Sequence, residues 1–210
     1  KHDLYALFDL MGGPAAAEAK LDNLFRETPG ISKFKFWGDY QPDSSGLVGM
    51  FVMGNQPTFH IPYIYNYLGS PWKAQKRVRM LLDTWFPDNK FGYPGDEDGG
   101  SMSAFVMFSM MGFYQVQQGN PIYCIGSPVF EKTTINLADG KTFTVKAPGA
   151  NAENKYVQSS RLNGKTLDRS WFTHEELVGG GVLELEMGPV PNFDWGKDNF
   201  PPSAISYNVE

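Results

Sequence analysis

The sequence predicts an α+β fold in which helices come first and a smaller antiparallel β region follows. Before Pro121, apolar residues recur at the three- and four-residue spacing that is typical of helices. After Pro121 they alternate with period two on either side of two turn signals, Asp139-Gly140 and Asn163-Gly164. This change of period places a boundary near residue 121.

Four helices are expected in the first part. The first can begin at Pro14, since proline is favoured in the first turn, and it ends before Pro29-Gly30. The third follows Ser70-Pro71, an N-cap and a first-position proline, and ends at Pro87. The fourth is apolar on every side, which predicts a buried helix. The predicted segments are the helices 14–28, 61–68, 71–86 and 104–114, the long connection 31–53 and the loop 87–100.

The second part is expected to hold two hairpins, a short helix and a closing strand. The hairpins enclose the two turn signals, and Thr173 with Glu176 forms a capping box for the helix. The closing strand covers 182–187. The aperiodic stretch 189–210 either wraps the body or is partly loose. The aromatic residues that would hold it are Phe193, Trp195 and Phe200.

Composition excludes several classes of protein. A chain of 210 residues can bury a core without disulfides, and its single cysteine, Cys124, rules out a disulfide framework. No apolar run reaches about 18 residues, so no membrane span is expected. The net charge of −5 and the lack of a basic half disfavour nucleic acid as a partner. Aromatic residues make up 15% of the chain and suit either a core or the stacking of sugar rings.

Three consecutive carboxylates, Asp96, Glu97 and Asp98, stand between glycines in the loop before the last predicted helix. Like charges this close repel, which costs free energy unless a cation, a donor or a substrate uses them. The glycines let the backbone approach a ligand closely. The segment is typical of a hard-cation site, of a general base, or of a solvated helix cap. An EF-hand is disfavoured because Met107, not glutamate, is twelfth from Asp96.

A second polar segment, 54–63, lies at the start of the second predicted helix. Asn55 and Gln56 offer amide oxygens, which suit calcium or sugar hydroxyls. His60 is either a functional residue or a hydrogen-bonded core histidine, the more common role for a single histidine among aromatic residues.

Several ordered segments together resemble one enzyme family over nearly the whole chain. They are HDLYALFDLMGG (2–13), GNQPTFHIPYIYNYLGSPWKAQKRVR (54–79), YPGDEDGGSMSAFVMFSMMGFYQV (93–116), IYCIGSPVFEKTTINLADGKTFTV (122–145) and, further on, KYVQSSRLNGKTL, SWFTHEEL and GGGVLELEMG. These segments resemble glycoside hydrolase family 92, the calcium-dependent, exo-acting α-mannosidases. The resemblance is weakest over 30–53 and after Pro191.

The resemblance implies a fold and a division into domains. Family members have an amino-terminal β-sandwich, then an (α/α)6 barrel, then closing β structure. The resemblance therefore implies that residues 1–121 are the last helices of the barrel. Residues 122–210 are then a carboxy-terminal antiparallel β domain with a wrapping tail.

The resemblance also implies an activity. The family hydrolyses α-mannosidic bonds of glycans with inversion, and its general base lies in the acidic loop. That role is carried to Asp98 first and to Asp96 second, with calcium as the cofactor. The residues expected to hold calcium are Asn55, Gln56 and Asp98, and those expected to contact substrate are His60, Gln56 and Glu97.

The family's general acid lies in a segment just before the His-Asp pair that corresponds to His2 and Asp3. The chain starts at Lys1, so we expect these 210 residues alone to be inactive. The expected partners are a mannose-containing oligosaccharide and the missing amino-terminal part of the enzyme. Exposed apolar helix faces could also pair two copies. The family implies a periplasmic or secreted location.

Two other functions are compatible with the same residues. The chain could be a non-catalytic module that binds mannose or calcium and keeps the loop without the reaction. It could also be a structural platform for interactions, in which case calcium and the Asp98 carboxylate would not matter to it.

Overall fold

The structure is a computed structural model that describes residues 3–28, 30–32, 35 and 45–203. Helices dominate up to Met111 and strands dominate after it, so the predicted mixed fold is confirmed at this level. The described helices include none that is long and apolar enough to cross a membrane.

The helices lie close to where the sequence places them, with two additions, at Leu4–Leu10 and Gln56–Thr58. The helices are α1 (Leu4–Leu10), α2 (Pro14–Leu24), α3 (Pro71–Trp85), α4 (Ser101–Met111) and α5 (His174–Val178), with 3₁₀ helices at Gln56–Thr58 and Ile61–Leu68. Helix α1 was not predicted, because seven residues are too few to reveal a helical period. Its N-cap is Asp3, whose carboxylate accepts a hydrogen bond from the Ala6 N–H at 3.0 Å.

The short aromatic helix at Ile61–Leu68 is a 3₁₀ helix. Pro62 lacks a backbone N–H, and Tyr63 donates to the carbonyl of His60 three residues back, at 3.1 Å. The helix ends at Gly69, where φ is +71°. A Cβ at that position would lie 2.8 Å from the Lys197 carbonyl oxygen, so only glycine fits.

Helix α3 begins at Pro71 as predicted, but Ser70 does not cap it with its side chain. The Ser70 hydroxyl donates instead to Glu18 on α2, at 2.7 Å. Lys73 completes this contact with ion pairs to Glu18 at 2.8 Å and to Asp22 at 2.6 Å. Polar side chains thus fix α2 against α3.

Two expectations for α4 are wrong. The helix starts three residues before Ala104 and ends at Met111, because the left-handed Gly112 stops it. It is not buried on every side, since 63% of Met107 is exposed. The buried face consists of Met102, Phe105 and Ser109, so the uniformly apolar sequence concealed which side packs inward.

Three small sheets make up the described β structure. The strands are β1 (Leu47–Val48), β2 (Phe51–Val52), β3 (Phe113–Tyr114), β4 (Ile122–Ile125), β5 (Lys132–Asn136), β6 (Thr142–Lys146), β7 (Tyr156–Leu162), β8 (Lys165–Thr166), β9 (Trp171–Thr173) and β10 (Gly181–Gly188). Their order is β1-β2, β3-β4-β9 and β5-β6-β10-β7-β8. Both predicted hairpins, β5–β6 and β7–β8, are confirmed, as is the Thr173–Glu176 capping box of α5.

The expectation of wholly antiparallel β structure is wrong for one pair of strands. Strand β10 is antiparallel to β7, with Leu183 opposite Leu162, but parallel to β6, with Leu183 opposite Val145. Strand β10 lies between β6 and β7, which run in opposite directions, so it can be antiparallel to only one of these two strands. The local alternation of residues carries no information about that choice.

The predicted long connection at 31–53 contains the β1–β2 hairpin, and most of its earlier part lies outside the described residues. The hairpin is docked on the end of α2, since the Met50 N–H donates to the Leu24 carbonyl at 2.8 Å. Gly49 makes this close approach possible, because a Cβ there would lie 2.6 Å from the Phe25 carbonyl carbon.

Two hydrophobic clusters, one mainly among the helices and one mainly among the strands, are joined by buried polar side chains. The Asn66 amide donates to the carbonyls of Ile125 at 2.9 Å and Ser170 at 3.0 Å. The other two bridges are Arg79 to the Pro128 carbonyl at 2.9 Å and the Val157 N–H to Gln75 at 3.1 Å.

The tail returns to the body, which confirms the wrapping alternative for its described part. Trp195 is buried against the β cluster, and the Ser203 hydroxyl accepts a hydrogen bond from the Leu4 N–H. Phe193 and Phe200 remain 61% and 48% exposed, but the Phe193 ring still packs edge to face against Trp72, with centroids 5.1 Å apart. The last seven residues lie outside the described part of the chain.

Cys124 is a free thiol on β4 with no exposed surface. Burial raises the pKa of its thiol, which therefore stays protonated at neutral pH. The prediction that Cys124 is buried and inert agrees with this position.

An apolar groove of about 910 Å³ runs between α1, α2 and the 3₁₀ helix at Ile61–Leu68. Leu7, Met11 and Ile64 line it, and His60 stands at the same wall. Leu10, which precedes the groove residue Met11 in the chain, is 87% exposed. Within the described residues, this is an apolar helix surface that the chain itself leaves uncovered.

We expect Asn66→Ala to lower the free energy of unfolding by about 1–3 kcal/mol, because two buried carbonyls lose their amide donor. Urea denaturation of the variant measures this change, with the exposed Gln118→Ala as the control. A midpoint equal to that of the control would show that the amide bridge contributes little.

Candidate active site

The acidic loop, defined as Gly95–Gly100, turns sharply into α4. Asp98 has a φ of +52°, a left-handed conformation that is unusual for a residue with a side chain. Gly99 and Gly100 continue it with φ of +62° and +97°. This run of left-handed residues places the three carboxylates at the amino end of α4, where the helix dipole favours negative charge.

Glu97 caps α4. Its two carboxylate oxygens accept hydrogen bonds from the N–H groups of Gly100 and Ser103, the latter at 3.0 Å. Its backbone carbonyl also accepts from the Met102 N–H at 3.2 Å. The helix-cap interpretation of the cluster therefore holds for this one residue, which favours a structural role for Glu97 over contact with substrate.

These hydrogen bonds hold the pKa of Glu97 below its usual range. The Ser103 side chain contributes most, followed by the Gly100 and Ser103 backbone N–H groups. The carboxylate is therefore charged throughout the neutral range, as a helix cap requires.

The acidic loop touches the amide turn, the segment Gly54–Gln56, through the backbone. A Cβ on Gly95 would lie 2.4 Å from the Gly54 carbonyl oxygen and 2.8 Å from the Gly54 Cα. In addition, the Gln56 side-chain amide donates to the Asp96 carbonyl. The two polar segments that the sequence singles out, 40 residues apart, are thus in direct contact.

Asp96 and Asp98 are both exposed. Among the described residues, neither carboxylate has a hydrogen-bond or ion-pair partner, unlike that of Glu97. An exposed carboxylate without a partner can accept a proton from water or coordinate a cation. Asp98 lies next to the strained turn, and Asp96 lies beside Gln56.

The oxygen atoms of this region fit a hard cation. The Gln56 amide nitrogen is engaged with Asp96, which leaves the Gln56 carbonyl oxygen as the group available to a ligand. Asn55, Asp96 and Asp98 add further oxygens of the kind that calcium prefers. In the described ranges, no cluster of three or more His, Cys, Asp or Glu residues could hold a metal, so a site here would need the amides.

His60 belongs to another feature of the molecule, the apolar groove. It stands on the wall of the apolar groove with Leu7, Phe8 and Met50, and no residue of the acidic loop is among the described residues of that wall. The structure therefore brings the segment that carries Asn55 and Gln56 against the loop that carries Asp96, Glu97 and Asp98, and it places His60 on the groove wall.

Sequence reasoning missed two residues next to the acidic loop. The Tyr93 hydroxyl lies 3.0 Å from the Ser103 hydroxyl, and the Ser103 N–H is bonded to Glu97. The loop is too irregular to reveal such a contact, since Tyr93 and Ser103 are ten residues apart with a left-handed turn between them.

The comparisons with known proteins agree with one another. A sequence model of the glycosyl hydrolase family 92 catalytic domain matches residues 1–189. An uncharacterized secreted glycosidase of Arthroderma benhamiae is 34% identical over 207 residues, which is 96% of this chain and 24% of that protein.

Solved structures also resemble this chain. A family GH92 α-mannosidase of Bacteroides thetaiotaomicron, in complex with mannoimidazole, is 33% identical with a TM-score of 0.84, over 91% of this chain and 25% of its own. The family GH92 inverting mannosidase of the same bacterium is 39% identical with a TM-score of 0.80, over 96% of this chain and 28% of its own. The chain thus spans about a quarter of the length of these relatives.

We expect Glu97→Gln to lower the thermal midpoint of unfolding at neutral pH. The pKa of Glu97 in the folded protein lies below its ordinary value of 4.5. The charged carboxylate therefore stabilises the fold fully above pH 4.5, and this stabilisation is lost as the pH falls through the folded-state pKa. The difference between wild type and variant should therefore close in acid. Thermal melts across pH measure it, with the exposed Asp88→Asn as the control; a difference that is the same at every pH would contradict the charged cap.

Proposed function

The chain belongs to glycosyl hydrolase family 92, and from this membership we propose that it is the carboxy-terminal portion of an exo-acting α-mannosidase that works with inversion. Two relatives, both from Bacteroides thetaiotaomicron, support this proposal: one is described as an α-mannosidase and the other as an inverting mannosidase. The observation that carries it is the contact between the acidic loop and the amide turn, which combines carboxylates and amide oxygens at one surface.

We also propose that residues 1–121 are the last helices of an (α/α)6 barrel and that 122–210 form a carboxy-terminal β domain. The uncovered groove between α1 and α2 supports this, because the remaining barrel helices would bury it. A second copy of the chain could cover the same groove in their absence.

In the proposed reaction, water attacks the anomeric carbon of the terminal mannose and transfers a proton to the Asp98 carboxylate. The glycosidic C–O bond breaks on the opposite face of the sugar, and the leaving oxygen takes a proton from a general acid. Inversion requires this acid and the base to stand about 6.5–9.5 Å apart, with the water between. We assign the acid to the part of the family fold that this chain does not span, so the chain alone should be inactive.

Asp98 suits the role of base better than its neighbours. The Asp98 residue is exposed, its carboxylate has no hydrogen-bond or ion-pair partner among the described residues, and its backbone is left-handed. Glu97 is held by two backbone N–H groups, and Asp96 lies closer to the amide turn. Asp96 is therefore our second choice for the base.

Calcium is the cofactor that we propose, with Asn55, Gln56 and Asp98 as ligands from this chain. When bound, a hard cation at this place would hold the sugar hydroxyls and polarise them. The Gln56 amide nitrogen is engaged with Asp96, which leaves the Gln56 carbonyl oxygen as the group that could bind the cation. Gln56 is the best supported of the proposed substrate contacts. Glu97 and His60 are also proposed, with less support, because Glu97 caps α4 and His60 stands on the apolar groove.

The proposed substrate is a glycan with a terminal α-linked mannose, and the proposed location is periplasmic or secreted. The location is supported by the relative from Arthroderma benhamiae, which is described as secreted.

We expect a chimera in which this chain replaces the corresponding quarter of the inverting mannosidase to hydrolyse mannobiose, while the chain alone does not. Asp98→Asn in the chimera should lower kcat by about 10²–10⁴, the usual contribution of a general base. Azide, which needs no base to deprotonate it, should restore part of the rate.

Asp88→Asn is the matched control, since Asp88 is an exposed aspartate of the longer loop 87–100. A folded chimera without activity would contradict the proposed function. If such a chimera still bound mannose or calcium, the result would support a non-catalytic binding module instead.

We expect calcium to raise the thermal midpoint of the chimera, and both Asp98→Asn and Asn55→Ala to remove most of this shift. A ligand at a hundred times its Kd stabilises the folded state by about 2.7 kcal/mol. Thermal melts with calcium and with a chelator measure the effect, again with Asp88→Asn as the control. Equal shifts in all variants would place the cation elsewhere.

A further inference from the structure

Tyr93 presents an aromatic ring beside the acidic loop, and the chain holds that ring in place. The ring is 48% exposed. It packs edge to face against Phe86, with centroids 6.0 Å apart, and Phe86 packs on Phe105 at 6.1 Å. Phe105 is fully buried in the helical cluster, so the exposed ring is supported from the core.

The hydroxyl of Tyr93 fixes the other end of the side chain. It lies 3.0 Å from the Ser103 hydroxyl, and the Ser103 N–H donates to the Glu97 carboxylate at 3.0 Å. Glu97 immediately precedes Asp98. Two hydrogen bonds therefore connect the ring to the loop that carries the proposed base, and the position of the ring is fixed relative to that loop.

A half-exposed, immobilised aromatic ring is well suited to bind the apolar face of a pyranose. Sugar C–H groups pack on aromatic rings, and a side chain that is already ordered loses little conformational entropy on binding. The base and its water act on the anomeric carbon of the terminal sugar, on the face away from the leaving group. We therefore expect a ring tied to the base's loop to lie on that same side.

We propose that Tyr93 is a substrate-binding residue on which the terminal mannose stacks. This inference rests on the proposed function, because it takes Asp98 as the base. It adds to it a residue that sets affinity for the terminal sugar and does not take part in proton transfer.

Phe91, which like Tyr93 lies in the loop 87–100 before the acidic loop, provides a matched comparison. It is 77% exposed, more than Tyr93, but its ring is accompanied by the Lys90 ammonium at 5.1 Å. Its N–H is bonded to Asn89, in a turn that precedes the acidic loop. Phe91→Ala therefore removes an exposed ring of the same loop without touching the Tyr93–Ser103 connection.

The test is steady-state kinetics of the chimera on two substrates that share the terminal mannose, an aryl α-mannoside and mannobiose. We expect Tyr93→Ala to raise KM about fivefold to tenfold on both substrates, with kcat nearly unchanged, because it removes binding that the ground state and the transition state share. Tyr93→Phe keeps the ring and should stay within about twofold of wild type. Phe91→Ala should leave KM unchanged.

Each alternative result overturns the inference. A KM effect on mannobiose alone would place Tyr93 against the leaving sugar, and an equal loss from Phe91→Ala would make the effect unspecific. A fall in kcat with unchanged KM in Tyr93→Ala, reproduced by Tyr93→Phe, would make it a positioning residue of the loop. If Asp98→Asn abolishes turnover while Tyr93→Ala changes nothing, this inference fails and the proposed function stands.

Discussion

The candidate site depends on one steric constraint, the contact between the backbones of Gly54 and Gly95. The two chain segments can lie this close only when residue 95 carries no Cβ, since even a methyl group there would overlap the Gly54 carbonyl. Because of this contact, the amide oxygens of one segment and the carboxylates of the other share a surface. The Gln56 bond to the Asp96 carbonyl then fixes which face of the amide is available. No charged pair holds the two segments together, so the carboxylates keep their capacity for a ligand.

The three carboxylates of the acidic loop have separated roles. Glu97 satisfies the first N–H groups of α4, whereas Asp96 and Asp98 face outward. This division explains how a cluster of like charges can persist: one member is stabilised by helix donors, and the repulsion among the other two is screened by solvent until a cation or a substrate arrives. A helix cap and a reactive surface are therefore built from one short segment, and neither role excludes the other.

Local sequence signals predicted the elements whose ends are set locally. Pro14 and Pro71 start helices, Asn163-Gly164 and Asp139-Gly140 turn hairpins, and Thr173 caps α5, all within a few residues of chain. The signals failed where distant residues decide. The buried face of α4 depends on what packs against it, and the parallel neighbour of β10 depends on how two hairpins flank it. The Tyr93–Ser103 contact depends on a left-handed turn that no spacing rule describes.

Cys124, the one cysteine of the chain, is fully buried in the core, and its thiol is protonated at neutral pH. These 210 residues, when folded, therefore offer no reactive sulfur to thiol reagents. One engineered cysteine on the surface of this chain would be its single accessible point of attachment for a fluorophore or a spin label, with no need to remove Cys124 first. A probe of this kind near the acidic loop would report the movements of the loop directly, and the core around Cys124 would be unchanged.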